Sequence, residues 1–144
     1  MGSDIRVLVV DDEPAIRALV AKIVERAGLS VDVARDGGEA IAKLDANHYT
    51  VMVIDLMMPV VDGYGVVEHL RERGGPRPAV IVITAGDSAA IRRLDGSMVH
   101  SVIRKPFDID VLGDLVVAAA ETMAAEHRNG APKVIEFPRR DNVC

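Results

Sequence analysis

The chain has 144 residues, 49% hydrophobic and 3% aromatic, and carries 22 acidic against 17 basic residues for a net charge of -5. That length suits one domain with an ample aliphatic core. The acidic balance opposes a binder of nucleic-acid backbone, and Tyr49, Tyr64, Phe107 and Phe137 are too few aromatics for a stacking platform.

Short apolar runs alternate with helical patterns along the chain. Ile5–Val10 predicts a first strand. A helix follows, with Ile16, Leu19, Val20, Ile23, Val24 and Ala27 on one stripe, Pro14 in its first turn and Gly28 just past its end. Val31–Ala34 predicts strand two and 38–46 helix two. Val51–Ile54 predicts strand three and 64–73 helix three, closed by Gly74-Gly75-Pro76. Ala79–Ile83 predicts strand four, with a short helix over 88–95. Met98–Ile103 predicts strand five, and 109–127 a final helix bearing Leu112, Leu115, Val116, Ala119 and Met123. The strands are nearly unbroken Val and Ile, which suits burial on both faces of a parallel sheet. Right-handed crossovers then give a doubly wound α/β sheet, flavodoxin-like, in the order 2-1-3-4-5. Residues 1–127 read as one domain. Residues 128–144 read as a tail, flexible or serving as a docking peptide.

Ligands of such sheets sit beyond the carboxyl ends of the strands. There the sequence places Asp11, Asp12 and Glu13 after strand one, Asp55 after strand three, Thr84 after strand four and Lys105-Pro106 after strand five. Each has an ordinary explanation. Asp11 and Asp12 could cap a helix, Asp55 could end a turn, Thr84 could be structural, and Lys105 could be a loop charge. All four ordinary explanations would have to hold at one end of one sheet. Three clustered carboxylates repel unless a cation joins them, and hard oxygen donors suit Mg²⁺, with Mn²⁺ as the alternative. No His or Cys stands at these strand ends to favour zinc. Carboxylate, cation, ammonium and hydroxyl together describe phosphoryl transfer to a carboxylate nucleophile.

These residues resemble a known family. Val9-Val10-Asp11-Asp12-Glu13-Pro14, Asp55-Leu-Met-Met-Pro59-Val-Val-Asp62-Gly63, Ile83-Thr84-Ala85 and Lys105-Pro106-Phe107 are similar to the motifs of response-regulator receiver domains. The resemblance implies that Asp55 is the phosphoacceptor. It implies Mg²⁺ ligation by Asp11, Asp12, Asp55 and the backbone carbonyl of Met57. It further implies switch roles for Thr84 and Lys105 and a cis Lys105-Pro106 bond. A sensor histidine kinase or phosphotransfer protein would be the donor. A downstream protein would bind the face formed by helix 4, strand 5 and helix 5, and the module would be a monomer or a phosphorylation-dependent dimer. Nucleic acid and membrane are not expected as partners, and the cytoplasm is the expected compartment.

Three departures from the family pattern stand out. Val102 occupies the place of an aromatic switch residue, with His100 the nearest ring in sequence. The usual turn before strand five is missing, so helix 4 is expected to be short or irregular. Met57 and Gly86 stand where side chains tune access of water, which suggests a long-lived phosphoryl-Asp55.

Three rival readings remain at this stage. A phosphatase with an aspartate nucleophile needs a second Asp where Met57 stands. A flavin module needs a glycine- and hydroxyl-rich cradle where Asp11-Asp12-Glu13 stand. A non-phosphorylated scaffold of the same fold is favoured only by Val102. His48, His69, His100 and His127 share no ligand spacing and read as surface or interface residues. The chain reads either as a free-standing regulator or as a piece of a longer protein.

Overall fold

Branched aliphatic side chains fit a pleated surface buried on both sides, and the runs predicted as strands form one sheet. The computed structural model describes residues 5–128, with side chains as far as Glu126. The expectations for the tail and for the side chain of His127 lie outside the described residues.

The elements run β1 (Arg6–Val10), α1 (Pro14–Arg26), β2 (Ser30–Ala34), α2 (Gly37–Ala46), β3 (Val51–Asp55), α3 (Gly63–Arg73), β4 (Ala79–Thr84), α4 (Ser88–Arg92), β5 (Ser101–Arg104) and α5 (Ile109–Arg128). The sheet order is β2-β1-β3-β4-β5 and every pairing is parallel. This is the predicted doubly wound fold. Successive strand residues point to opposite faces. Leu8, Val10, Met52, Ile54, Val80 and Val82 join the layer packed with Val66, Val67 and Leu70 of α3. Val7, Val9, Val51, Val53, Ile81 and Ile83 join the layer packed with Val20 and Val24 of α1 and Leu112 and Val116 of α5. A slip of one residue would exchange the two layers, so this alternation fixes the register.

Local signals set the helix ends. Pro14 opens α1. Gly28, at φ 87, follows it in a conformation that only glycine takes freely. Asp36, Asp62 and Asp87 each accept a backbone N–H of the first turn of α2, α3 and α4. Among the described residues no helix is long and apolar enough to cross a membrane.

The region between β4 and α5 departs from expectation. The fifth strand begins at Ser101, not Met98. Met98 is buried, but in a turn whose N–H bonds the Asp95 carbonyl at 2.9 Å. Its hydrophobicity serves the core without joining a ladder. Helix α4 ends at Arg92 rather than Asp95, because the Asp95 carboxylate accepts the amide and hydroxyl of Ser97 at 3.0 and 2.6 Å and forms a turn there. The short fourth helix expected from the missing turn motif is thus five residues long.

Candidate functional site

The site follows from register. Val10 pairs with Ile54 across β1 and β3, so Asp11, just past β1, and Asp55, the last residue of β3, stand side by side at the carboxyl edge of the sheet. Asp11 is 3% and Asp55 4% exposed, and Asp12 beside them is half-buried. One carboxylate oxygen from each of the three lies within 4.8 Å of the others. Burial, chiefly, and the nearby Asp55 carboxylate push the Asp11 carboxyl above its ordinary value, against the pull of the Glu13 amide on its Oδ1 at 2.9 Å. Three hard oxygen donors gathered in a half-buried crevice fit a divalent cation of the Mg²⁺ kind.

Lys105 faces this cluster from the end of β5. Its Nζ lies 3.2 Å from Asp55 Oδ2, 3.5 Å from Asp11 Oδ2 and 3.5 Å from Glu13 Oε1. Burial alone would lower the Lys105 pKa, but Asp55 and Asp11 outweigh it and the net shift is upward. The ammonium therefore stays charged. The Lys105-Pro106 bond is cis. Thr84 ends β4 fully buried, and its Oγ1 accepts the Gly86 amide at 2.9 Å. Among the described residues no hydrogen bond joins Thr84 to Asp55. Beside Lys105, a hollow of about 390 Å³ opens between Ile16, Leu19, Pro106 and Phe107.

The loop from β3 to α3 packs closely against the end of β3. The Met57 amide donates to Asp55 Oδ1 at 3.1 Å, which brings the Met57 backbone to the edge of the cluster, while its side chain is 57% exposed. A Cβ on Gly63 would lie 2.7 Å from Leu56 Cα and 2.8 Å from the Asp55 carbonyl oxygen, so no larger residue fits. Val60 sits at φ 66 with its side chain wholly exposed. A β-branched residue rarely adopts that conformation, and nothing in the sequence signals it. Two further residues reach the site without having been singled out as ligands. Glu13 meets Lys105, and the Arg17 guanidinium donates to the Asp11 carbonyl at 2.9 Å. A basic residue one turn into α1 beside three acids was the available signal for Arg17.

The remaining singled-out residues lie farther away. Val102 is partly exposed on β5, opposite Val82. His100 bonds its neighbour Ser101 at 2.7 Å. His69 contacts Asp45 at 2.9 Å across α2 and α3, and His48 is exposed.

Fold and site together define a doubly wound domain that gathers acids, an ammonium and a hydroxyl at its strand ends, the architecture of a signal receiver. The chain belongs to the response regulator receiver domain family, whose model matches residues 7–117. It is 42% identical over 113 residues to the transcriptional regulatory protein TrcR of Mycobacterium tuberculosis, across 77% of this chain and 43% of that protein. It is 38% identical over 112 residues to the transcriptional regulatory protein TcrA of the same organism, across 76% and 44%. The chain therefore spans less than half the length of these relatives. Among solved structures, the receiver domain of a Francisella response regulator superposes with a TM-score of 0.72 at 33% identity, covering 81% of this chain and 97% of that one. TrrA from Thermotoga maritima, solved in complex with Mg²⁺-BeF, gives 0.72 at 30% identity, covering 80% and 98%.

Proposed function

We propose that this domain accepts a phosphoryl group on Asp55 and signals the change through protein contacts. The observation that carries this reading is the position of Lys105 Nζ, 3.2 Å from Asp55 and within 3.5 Å of Asp11, at the mouth of a three-carboxylate cluster. Asp11, Asp12, Asp55 and the Met57 carbonyl would hold Mg²⁺, which supplies neutralisation of the charge on the transferred group. An Asp55 oxygen attacks phosphorus, the bond from phosphorus to the donor nitrogen or acyl oxygen breaks, and the donor leaves with that electron pair. Lys105 then pairs with the phosphoryl oxygens, and Thr84 turns its hydroxyl toward them.

The donor is a sensor histidine kinase or phosphotransfer protein, and the domain works in the cytoplasm as a signalling module rather than a turnover enzyme. A downstream protein binds the face of α4, β5 and α5, where Val102 and Arg104 are exposed on the strand. The acidic balance argues that this stretch holds no nucleic acid itself. Named transcriptional regulators among the relatives make a DNA-directed output reasonable for a longer protein containing it. With no polar side chain at Met57 or Gly86 to hold an attacking water, phosphoryl-Asp55 is long-lived. A half-life of seconds in Mg²⁺ buffer would refute that point.

The test of the core reading is incubation with acetyl phosphate and Mg²⁺ followed by intact mass. The parent gains one phosphoryl group and Asp55→Asn gains none. A gain in the variant, or none in the parent, rejects the assignment.

A further inference from the structure

The fourth helix has no buried side chain. Hydrophobic packing therefore does little to fix it, and polar ties must locate it. On one flank the Tyr64 hydroxyl donates to the Ala90 carbonyl at 2.5 Å, and the Arg93 guanidinium lies 4.1 Å from the Tyr64 ring centre. On the other flank the tie comes from β5. Arg104, the register partner of Thr84, donates from Nη1 to the Gly86 carbonyl at 3.3 Å and from Nη2 to Ser88 Oγ at 3.2 Å. The amide of the same Gly86 donates to Thr84 Oγ1. One residue of the turn is thus held by its carbonyl from β5 and holds, by its amide, the hydroxyl that would serve Asp55. Gly86 also has little freedom to be anything larger, since a Cβ there would lie 2.9 Å from the Ala90 Cβ and 3.1 Å from Thr84 Oγ1.

We infer that Arg104 is a positioning residue for Thr84: by clamping the Gly86 carbonyl it keeps the Gly86 amide aimed at the Thr84 hydroxyl and holds that hydroxyl in its resting place. The inference rests on the reading of Asp55 as phosphoacceptor. It supplies a link from β5 to Thr84 in a chain whose β5 carries Val102 where an aromatic would stand. When Thr84 turns to a phosphoryl group it leaves the Gly86 amide without its acceptor. Among the described residues the side-chain tie left on Gly86 is then the one from Arg104, and α4, lacking a buried anchor, can shift with the turn. Removing Arg104 lets the turn drift and makes the departure of Thr84 easier.

The test is a double-mutant cycle on the initial rate of phosphorylation by acetyl phosphate with Mg²⁺, read by intact mass in the full chain. Arg104→Met keeps the aliphatic stem and removes the donors. Because both bonds are long and exposed, the expected gain is about two- to fivefold. In a Thr84→Ala background the same substitution leaves the rate within about 1.5-fold, because its route of action is gone. An unchanged or slower rate in Arg104→Met overturns the proposal, as does an equal gain in both backgrounds. If the parent takes no phosphoryl group, the phosphoacceptor reading fails by itself. The clamp is then decided by amide hydrogen exchange at Gly86, where faster exchange in Arg104→Met supports it and unchanged exchange overturns it.

Discussion

Asp32 on β2 and Asp11 at the end of β1 lie on neighbouring strands in opposite electrostatic surroundings. Asp32 accepts the Tyr49 hydroxyl at 2.7 Å and meets the Arg6 guanidinium at 2.5 Å, while that guanidinium lies 5.1 Å from the Tyr49 ring centre. The Tyr49 bond first, and Arg6 after it, hold the Asp32 carboxyl below its ordinary value against its partial burial. Burial and the bond to Asp32 push the Tyr49 phenol up to about 12. Asp11 is more buried and has the Asp55 and Asp12 carboxylates for company, and its carboxyl is raised. The ammonium that meets it, Lys105, is shared with Asp55 and Glu13. Asp32 has its own donors, whereas the acids gathered at the strand ends stand under a mutual repulsion that a cation would relieve.

The widest gap between the two regions should appear when each loses its cation. Lys105→Met leaves buried carboxylates uncompensated and should lower stability in metal-free buffer by about 2 kcal/mol in urea unfolding, with Mg²⁺ restoring most of it. Arg6→Met removes a pair more than a third exposed on both sides and should cost about 0.5 kcal/mol. Equal losses would break the contrast. Next come the acids themselves, where the signs should differ. Asp32→Asn should destabilise by about 1 kcal/mol, because two donors lose a charged acceptor. Asp11→Asn should stabilise the metal-free protein by about 1 kcal/mol while weakening Mg²⁺ binding in calorimetry. A destabilised Asp11→Asn would show that its bonds to Glu13 and Lys105 outweigh the repulsion.

The smallest effect is a difference in slope with pH. The Asp32 carboxyl is lowered in the fold, so its stabilisation is present above its unfolded value, near 3.8, and fades as pH falls through the lower folded value. The Asp11 carboxyl is raised, so its penalty is absent below about 3.8, grows as pH rises through the folded value and is full above it. Urea midpoints of the metal-free protein across this acid range should therefore flatten below 3.8 in Asp32→Asn and above 3.8 in Asp11→Asn. Parallel curves for both variants and the parent would remove the distinction.

Where the sequence was legible, a local pattern and a global one agreed. Val51–Ile54 and Ala79–Ile83 are apolar throughout, and the strands they form are buried along their whole length. Pro14 and Gly28 mark the two ends of α1 by conformations local to each residue. Met98 misled because apolarity reports burial without reporting a ladder partner, and a turn can bury a side chain as well as a strand can. Asp11, Asp55, Thr84 and Lys105 were legible as neighbours of one crevice because parallel strands bring their carboxyl ends to one edge. The bond from Thr84 to Gly86, the reach of Arg17 and the conformation of Val60 were not, because each depends on how a side chain or loop settles among distant neighbours.

The sequence by itself determined the order and number of the strands, the two-sided burial of the sheet and the set of groups at its carboxyl edge. Hydrophobic period, turn residues and the handedness of crossovers act locally and leave few topologies open. Only the tertiary structure decided which Lys105 contacts form, how deeply Asp11 and Asp55 are buried, and that α4 hangs on polar ties from Tyr64 and Arg104. Those outcomes depend on packing to within an ångström between residues as far apart as Asp55 and Lys105, and no spacing along the chain encodes a distance through space.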